Sequence, residues 1–498
     1  MPKYNIVIIG SGLGGLICAN MLSKEGYNVC VIEKNKQLGG CLQTFKRNDC
    51  IFDTGIHFVG SLDKGQILNR FFNYFGIMDK LKLKRLDEDG FNLIHFNGRE
   101  YKHAMGYERF KEELLQQFPN ENKGLDTYIH KLNEVVDSMN LYNLREIENN
   151  NLIDNSYITS SAFDFLNSCS DNFDLKSVLA GANSLYAGIP DKTSLYIHAL
   201  INHSFIQSSW RLVDGSDQIS DLLAETIIAN GGTILKNSKV EELVFENDKI
   251  KFAKLSNGEL IEGTDFISNV HPAVTMEMVD QNKIRPAYRH RIMNIENTIS
   301  NFTVYIVLKK NSFKYQNYNY YHHNSKNVWG ANSYSTDKWP DSYMLLTSAN
   351  SKSDEWADSL ILLSYMTYDE VKKWENTTVE KRGQEYLDFK HQKAETLVDL
   401  VEQKYPQLRN CIETYYTSTP LTYRDYTATK EGSLYGIERD CRDPLKSYVP
   451  SKTKIPNLYF TGQNINLHGA IGVAIGSMLT CGEFVGLNNL IKKIADAT

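Results

Sequence analysis

The 498-residue chain contains no dense block of lysine and arginine, and its formal net charge at pH 7 is -6. Because proteins bind nucleic acids mainly through clustered cations, we expect no nucleic-acid partner. No run approaches the ~18 consecutive apolar residues that indicate a membrane-spanning helix, and the first residues lack the cleavage site of a secretory signal. We therefore expect a cytoplasmic protein and leave peripheral attachment to a membrane surface open.

The eight cysteines lack a metal-binding or redox pattern. No two form a CxxC pair, and none is spaced with histidine as in structural zinc sites. Free thiols in a reducing compartment fit best. The neighbouring His322 and His323 would point to opposite faces of a strand, so the sequence predicts no metal site.

The segment "YNIVIIGSGLGGLICANMLSKEGYNVCVIEKN" predicts a strand, a glycine turn, a helix and a second strand. Its glycines match GxGxxG: Gly10 permits the tight turn, Gly12 lets a pyrophosphate approach the backbone, and Gly15 allows the helix to pack on the strand. The free N–H groups at the helix start would face the phosphates. The cofactor-binding candidates of this unit are Gly10, Ser11, Gly12, Gly14, Gly15, Glu33 and Lys34.

Glu33 ends the second strand, about twenty residues after the glycine loop, where a carboxylate can accept hydrogen bonds from ribose hydroxyls. A negative charge at this place disfavours a 2'-phosphate, so FAD or NAD is preferred to NADP. Strand, loop, helix, strand and acid occur in this order, which makes dinucleotide binding a stronger interpretation than a lone GxGxxG would support.

A second glycine pair, Gly39-Gly40, follows Glu33, and the segment Asp53-Thr54-Gly55 comes after it. With these features the region resembles the two-dinucleotide-binding flavoprotein superfamily, which has an acid, a GG pair and a D-x-G segment beside the flavin. The resemblance implies FAD as the cofactor and adds Gly39, Gly40 and Gly55 to the candidates. Cys41 stands where the superfamily usually has arginine, so one phosphate-neutralising contact is in question.

Near the other end of the chain lies "NLYFTGQNINLHGAIGVAIGSML". The resemblance implies a strand and then a helix whose N-terminal N–H groups face the flavin and stabilise negative charge on the reduced ring. Gln463 stands where the superfamily often has an acid. By motif position, the backbone of Val240 would contact adenine. The resemblance thus adds Gly462, Gln463, Gly472, Val473 and Val240 to the cofactor-binding candidates.

The resemblance implies an α/β fold: a Rossmann-like FAD-binding domain of the two-dinucleotide-binding type, with an interleaved α+β substrate domain and a helical insertion. The predicted FAD-binding domain is discontinuous and comprises residues 1–75, 211–274 and 435–498. Residues 76–210, with apolar side chains at three- and four-residue spacing, form a mostly helical region that faces substrate or membrane. Residues 275–434, with strand-like runs such as "NFTVYIVLKK" and "LILLSYMTY", form the substrate domain.

Four longer segments narrow the resemblance: "FDTGIHFVG", "AGIPDKTSLYIHALINHSF", "STPLTYRDYTATKEGSLYGI" and "TGQNINLHGAIGVAIGSMLTCGE". They are similar to the branch that contains carotenoid desaturases, carotenoid isomerases and retinol saturases. This implies an FAD-dependent oxidoreductase that adds or removes hydrogen at a C=C bond of a polyene or isoprenoid-like lipid. No second GxGxxG precedes a strand and a basic residue, so we expect an unidentified external electron donor or acceptor instead of an NADPH domain.

Position along the chain selects the catalytic candidates. His57 follows the D-x-G segment, and Tyr435 could donate a proton or line an apolar channel. For both, a packing role stays open. Further candidates with the same two alternatives are His468, Tyr423, Tyr426, Trp210 and the tyrosine-rich stretch 315–321.

Two other functions stay open. A flavin amine oxidase shares this fold, would oxidise a C–N bond and would place an aromatic pair around the amine. A non-catalytic FAD-binding escort or scaffold would hold flavin that no donor, acceptor or lipid can cycle.

Overall fold

The computed structural model describes residues 3–147, 155–330 and 332–498. The strands of these residues are β1 (Tyr4–Ile9), β2 (Val29–Ile32), β3 (Thr44–Arg47), β4 (Cys50–Asp53), β5 (Val59–Gly60), β6 (Leu83–Arg85), β7 (Asn92–Phe96), β8 (Arg99–His103), β9 (Ser209–Leu212), β10 (Thr233–Leu235), β11 (Val240–Glu246), β12 (Lys249–Leu255), β13 (Leu260–Ser268), β14 (Ser300–Leu308), β15 (Asn319–His323), β16 (Ser342–Thr347), β17 (Ser359–Met366), β18 (Ile412–Ser418) and β19 (Leu458–Phe460).

The α-helices of the same residues are α1 (Leu13–Lys24), α2 (Ile67–Phe75), α3 (Tyr107–Gln117), α4 (Asn122–Asp137), α5 (Asn155–Thr159), α6 (Ala162–Cys169), α7 (Phe173–Leu179), α8 (Leu195–Gln207), α9 (Asp217–Ala229), α10 (Pro272–Glu277), α11 (Pro286–Met293), α12 (Gln384–Glu402), α13 (Leu408–Cys411), α14 (Pro420–Thr427), α15 (Pro444–Ser447), α16 (Gly469–Val485) and α17 (Leu487–Ala495). No helix among the described residues is long and apolar enough to cross a bilayer.

The first sheet contains the N-terminal unit. Its strand order is β10-β2-β1-β13-β12-β11, and β19 pairs with the end of β13. The strands β10, β2, β1, β13 and β19 run parallel, whereas β11 and β12 are antiparallel additions. Side chains of β1 enter different core clusters on its two faces, Ile6 and Ile8 on one side and Val7 and Ile9 on the other. Burial on both faces explains the continuous apolar run, and the predicted α/β fold with a Rossmann-like sheet is confirmed.

The second sheet has the order β18-β14-β17-β16-β15-β7-β8. Its β14 is buried along its whole length, and apolar side chains of one face pack with α12 in a core of their own. The strands predicted at "NFTVYIVLKK" and "LILLSYMTY" are confirmed as β14 and β17.

Residues 76–210 contain α3 to α8 within the described part, and they also contain β6, β7 and β8. The β7–β8 hairpin turns at Asn97-Gly98, both in the left-handed region, and β7 pairs in parallel with β15. Two strands of the second sheet therefore come from the region predicted to be mostly helical. The domain boundaries stay a prediction.

Candidate functional site

The first glycine loop connects β1 to α1 in the way that GxGxxG predicts. Gly10 has φ +90°, and its N–H donates to Ile32 O at 2.8 Å. A Cβ on Gly15 would overlap the Gly10 carbonyl oxygen, and a Cβ on Gly14 would lie 2.8 Å from the Gly462 Cα. The α1 N-cap, Gly12, has no side-chain cap, so the first N–H groups of this helix are available to a phosphate.

Glu33 lies beside this loop and is buried. One carboxylate oxygen accepts from Ser11 N at 2.9 Å and Ser11 Oγ at 2.6 Å, and the other accepts from Asn35 N at 2.8 Å. The Ser238 N–H donates to Glu33 O at 2.8 Å, which brings the start of β11, and with it Val240, to the same end of the sheet. Lys34 Nζ donates to the backbone oxygen of Asp425 at 2.7 Å, and burial lowers the pKa of Lys34.

The second glycine pair lies against the first loop. Gly39 pairs with Gly12 in a parallel bridge, and a Cβ on Gly40 would lie 3.1 Å from the Gly12 Cα. A Cβ on Gly55 would lie 2.8 Å from the Cys41 Cβ, so the D-x-G segment touches the residue that follows the pair. Burial raises the pKa of the Cys41 thiol to about 11. At neutral pH this thiol is uncharged and does not replace the charge of an arginine.

The C-terminal segment completes the arrangement as expected: β19 is followed by Gly462, at φ +92°, and then by α16. The N-cap of α16, His468, makes no side-chain cap, and Gly469 to Val473 line a cavity. A Cβ on Gly472 would overlap the Leu467 carbonyl oxygen. The positive end of the α16 dipole is therefore open to the cavity.

This cavity has a volume of about 320 Å³ and is lined by the glycine loops, the start of α16, residues of α8 and the second sheet. None of the described residues that line it is Asp, Glu, Lys or Arg. Burial lowers the pKa of its histidines, to about 3 for His57 and to about 4 for His271, His322, His323 and His468. At neutral pH the lining is therefore uncharged, and apolar side chains such as Ile56, Phe58, Leu200 and Phe205 form much of it.

Not every predicted site residue reaches the cavity. The lining includes Gly12, Gly14, Gly39, Gly40, Gly55, Gly462, Gln463, Gly472 and Val473. The other cofactor candidates lie outside the cavity lining. Gly10, Ser11 and Gly15 follow β1, Glu33 and Lys34 follow β2, and Val240 begins β11. This division is what an extended dinucleotide requires, with one part outside the cavity and one part inside it.

The catalytic candidates His57, His468 and Tyr435 all line the cavity. His57 Nδ1 is buried without a hydrogen-bond partner among the described residues. The Tyr435 hydroxyl donates to Ser184 O at 2.8 Å, and the His468 ring lies 4.4 Å from the Tyr435 ring. His57, His468 and Tyr435 thus line one cavity, and the Tyr435 hydroxyl already has a partner there.

The remaining candidates divide. Tyr423, His322 and His323 line the cavity, and so does Tyr321 of the 315–321 stretch. Tyr426 is exposed, and the Trp210 Nε1–H donates to Asp63 at 3.1 Å outside the lining. Among the described residues, no three His, Cys, Asp or Glu side chains lie close enough to share a metal ion.

Sequence reasoning missed Asn269. It follows β13, its N–H donates to Ile9 O at 2.9 Å, and its side-chain amide lies 2.5 Å from where a Cβ on Gly12 would be. It also lies against Gly14 and Gly462, so one amide lies between the first glycine loop and the loop at Gly462. A polar residue directly after an apolar strand, "DFISNV", was the available signal, because ligands bind at the carboxyl ends of parallel strands.

These residues fit FAD. Two helix N-termini without side-chain caps face the glycine loops and the cavity, and a buried carboxylate lies where ribose hydroxyls would be. Several buried polar atoms of the lining have no partner among the described residues: His57 Nδ1, Asn301 Oδ1, Tyr321 OH, His322 Nδ1, Tyr343 OH and Ser433 Oγ. Unpaired buried polar atoms are costly unless a ligand or water completes them.

Known proteins are similar to this chain in sequence or in fold. A family model described as flavin containing amine oxidoreductase matches residues 13–478. All-trans-retinol 13,14-reductase of Danio rerio is 26% identical and aligns over 97% of this chain and 86% of its own. Prolycopene isomerase 1 of an Oncidium hybrid cultivar is 22% identical, over 99% of this chain and 85% of its own. The structure of cyclohexylamine oxidase from Brevibacterium oxydans, 14% identical, has a TM-score of 0.62 over 99% of this chain and 100% of its own, a likeness of fold.

The fold, the glycine cradle and these matches together define an FAD-dependent oxidoreductase. The chain belongs to the flavin containing amine oxidoreductase family, whose model spans most of its length.

Proposed function

We propose that this enzyme adds or removes hydrogen at a C=C bond of a polyene or isoprenoid-like lipid. The observation that carries the proposal is the uncharged lining of the cavity that begins at the glycine loops. A long apolar substrate needs no charged partner, and its burial in such a cavity is favourable. The names of the similar proteins, which refer to all-trans-retinol and to prolycopene, support a polyene.

We assign the FAD contacts as follows. The first loop and the start of α1 bind the pyrophosphate, Glu33 binds ribose, and the backbone at Val240 binds adenine. The second glycine pair, Gly55 and the start of α16 hold the ribityl chain and the ring. When bound, FAD supplies hydride transfer, while this chain orients the substrate and excludes water.

The amine oxidase alternative has less support. An amine is protonated at neutral pH, and the described lining provides neither a carboxylate nor another negative charge for it. A cation transferred to such a surface would lose hydration, and the described lining would compensate it only through aromatic rings. The cavity therefore favours a neutral substrate.

We also propose an external electron donor or acceptor, supported by the single nucleotide-binding motif in the sequence. A cytoplasmic protein with peripheral contact to a membrane surface fits this function, because polyene lipids partition into bilayers.

The test begins with anaerobic photoreduction of the flavin. The reduced enzyme is mixed separately with all-trans-retinol, a short carotenoid and a panel of amines, and flavin reoxidation and product mass are recorded; the oxidised enzyme is treated in parallel. A polyene that gains two hydrogens as the flavin reoxidises, or loses two as it is reduced, supports the proposal. Bleaching of oxidised flavin by an amine alone overturns it in favour of amine oxidation. A flavin that no compound cycles favours the escort.

A further inference from the structure

The tyrosines of the cavity differ in what their hydroxyls contact. Tyr365 and Tyr435 both donate to Ser184 O, at 3.0 and 2.8 Å. Tyr423 lies 3.1 Å from Thr303 Oγ1, and the Tyr142 hydroxyl lies 3.4 Å from Ser61 Oγ. Only Tyr321 and Tyr343, of the six described tyrosines in the lining, have buried hydroxyls without a partner.

The strand register places Tyr321 and Tyr343 on opposite faces of the second sheet. Tyr321 pairs with Met344 on β16, and Met344 pairs with Leu363 on β17, so the three side chains form a row on one face of the second sheet. All three line the cavity. Tyr343 precedes Met344 and alternates to the other face, where it packs with Tyr320 in the core under the sheet. Tyr321 is therefore the tyrosine with a free hydroxyl on the cavity face.

A buried cation contacts the backbone just before the strand that carries Tyr321. Arg211, on β9, is 1% exposed, and its Nη2 donates to Tyr318 O at 2.7 Å, three residues before Tyr321. Its Nε and Nη1 have no hydrogen-bond partner among the described residues. Burial has the larger effect on the pKa of both Tyr321 and His57, and the Arg211 charge lowers the pKa of each. The same charge interacts more strongly with Tyr315 and Asp53. A guanidinium with unused donors in this place favours a neighbouring negative charge.

We propose that Tyr321 is the proton donor when hydrogen is added to the C=C bond, and that Arg211 stabilises the phenolate left behind. The Tyr321 O–H bond breaks, and its proton forms a C–H bond with the electron pair of the C=C bond. The other carbon receives a hydride, which bound reduced FAD would supply. Water then returns a proton to the phenolate. The inference rests on the proposed function, because it requires a substrate that accepts both a hydride and a proton.

The protonation state fits this direction. Burial, with a smaller effect of neighbouring Tyr435, raises the pKa of Tyr321, and this exceeds the opposite effect of Arg211. The phenol is therefore protonated at neutral pH and ready to donate. A base for hydrogen removal would have to be deprotonated, and this phenol is not.

The test uses FAD-loaded enzyme, photoreduced without oxygen, in single turnover with all-trans-retinol, or with the short carotenoid if only that compound reacts. In Tyr321→Phe we expect the rate to fall about 100-fold or more, as for loss of a general acid. The Kd of the polyene for the oxidised variant should stay within about twofold of the wild-type value. The wild-type rate should be slower in D2O, and this isotope effect should change in the variant.

Tyr74→Phe is the control. Like Tyr321, Tyr74 has a buried hydroxyl without a hydrogen-bond partner among the described residues, but it lies on α2 outside the cavity lining. The variant should retain the wild-type rate within about twofold. Arg211→Lys, which keeps the charge, should retain more of the rate than Arg211→Met at equal flavin content. This difference would not follow from a packing role alone.

The outcomes separate the two proposals. If the wild type reduces no polyene, the proposed function fails and the inference falls with it. If the wild type reduces a polyene and Tyr321→Phe does so at the same rate with the same isotope effect, only the inference is overturned. A loss of rate matched by an equal loss of affinity would make Tyr321 a binding residue and would also overturn it.

Discussion

At Gly14 one added carbon would act directly on the proposed cofactor site. An alanine Cβ would lie 2.8 Å from the Gly462 Cα and 2.9 Å from the Gly462 N, so the backbone of the Gly462 loop blocks it. We expect Gly14→Ala to push the first glycine loop away from the Gly462 loop and to weaken FAD binding at least tenfold, about 1.4 kcal/mol. Flavin content after purification and titration of the apoprotein with FAD measure this.

The control for Gly14→Ala is Gly476→Ala. Its Cβ would meet only the Gly462 carbonyl oxygen at 3.6 Å, an ordinary contact, within α16. It should retain full flavin content and gain up to ~1 kcal/mol of stability, because alanine is a better helix former than glycine. If Gly14→Ala binds FAD within twofold of the wild type, the close approach of the loops is not required for binding.

Single residues also show what sequence can and cannot reveal. The glycines were predictable because turn geometry and close backbone approach are local requirements with a known spacing. Asn269 was not singled out, and Tyr321 was named only as part of the stretch 315–321, since their importance comes from distant partners. Asn269 contacts loops at Gly12 and Gly462. The strand of Tyr321 follows Tyr318, whose backbone oxygen accepts from Arg211, more than one hundred residues away in the chain.

Secondary-structure elements show the same limit. The unit from β1 to β2 was predictable because one short segment carries its whole pattern. The β7–β8 hairpin carries a local signal too, Asn97-Gly98 between alternating residues, but the helical periodicity around it dominated the prediction. Its pairing with β15 joins residues more than two hundred positions apart, and no local pattern encodes that register.

The start of α16 gives a prediction about redox potential. Its uncapped N-terminus opens into the cavity beside Gln463, which lines the same space. Gln463→Glu keeps the size and adds a negative charge where a reduced flavin would also carry one. We expect the midpoint potential to fall by on the order of 30 mV, equivalent to about 1.4 kcal/mol for two electrons.

Equilibration of the enzyme with redox dyes measures this potential. Gln403→Glu makes the same change on an exposed residue after α12, away from the cavity, and should leave the potential unchanged. Equal potentials for Gln463→Glu and the wild type would show that position 463 does not interact with the ring.

On the scale of the whole molecule, the cavity joins residues between Gly12 and Val473 from both sheets and from α8. No single segment of the sequence predicts that this cavity is uncharged. That character arises because long-range packing buries histidines whose partners are backbone carbonyls, such as His323 on Gly181 and His468 on Leu185.

Buried histidines, in the cavity and elsewhere in the fold, predict how the stability of the whole protein responds to acid. Burial lowers the pKa to about 3 or 4 for His57, His103, His198, His203, His271, His322, His323 and His468. In the unfolded chain they titrate near 6.5, so between about pH 6.5 and 4 the unfolded state binds more protons. Stability should therefore fall as pH falls through this window. Asp53, whose burial raises its pKa to about 6, acts in the opposite direction. Burial also raises the pKa of Asp221, Asp265, Asp341 and Glu438, but these five carboxyl groups are fewer than the eight histidines.

Urea unfolding at pH 7, 6 and 5, with saturating FAD, measures this dependence. We expect a lower midpoint at each step, because every such histidine that stays neutral in the folded state costs up to about 1.4 kcal/mol per pH unit below 6.5. His290→Gln, at an exposed position of α11, should leave the slope unchanged. Equal midpoints at pH 7 and pH 5 would mean that these imidazoles take up protons within the fold. The cavity would then be charged in mild acid, and its preference for a neutral lipid would be confined to higher pH.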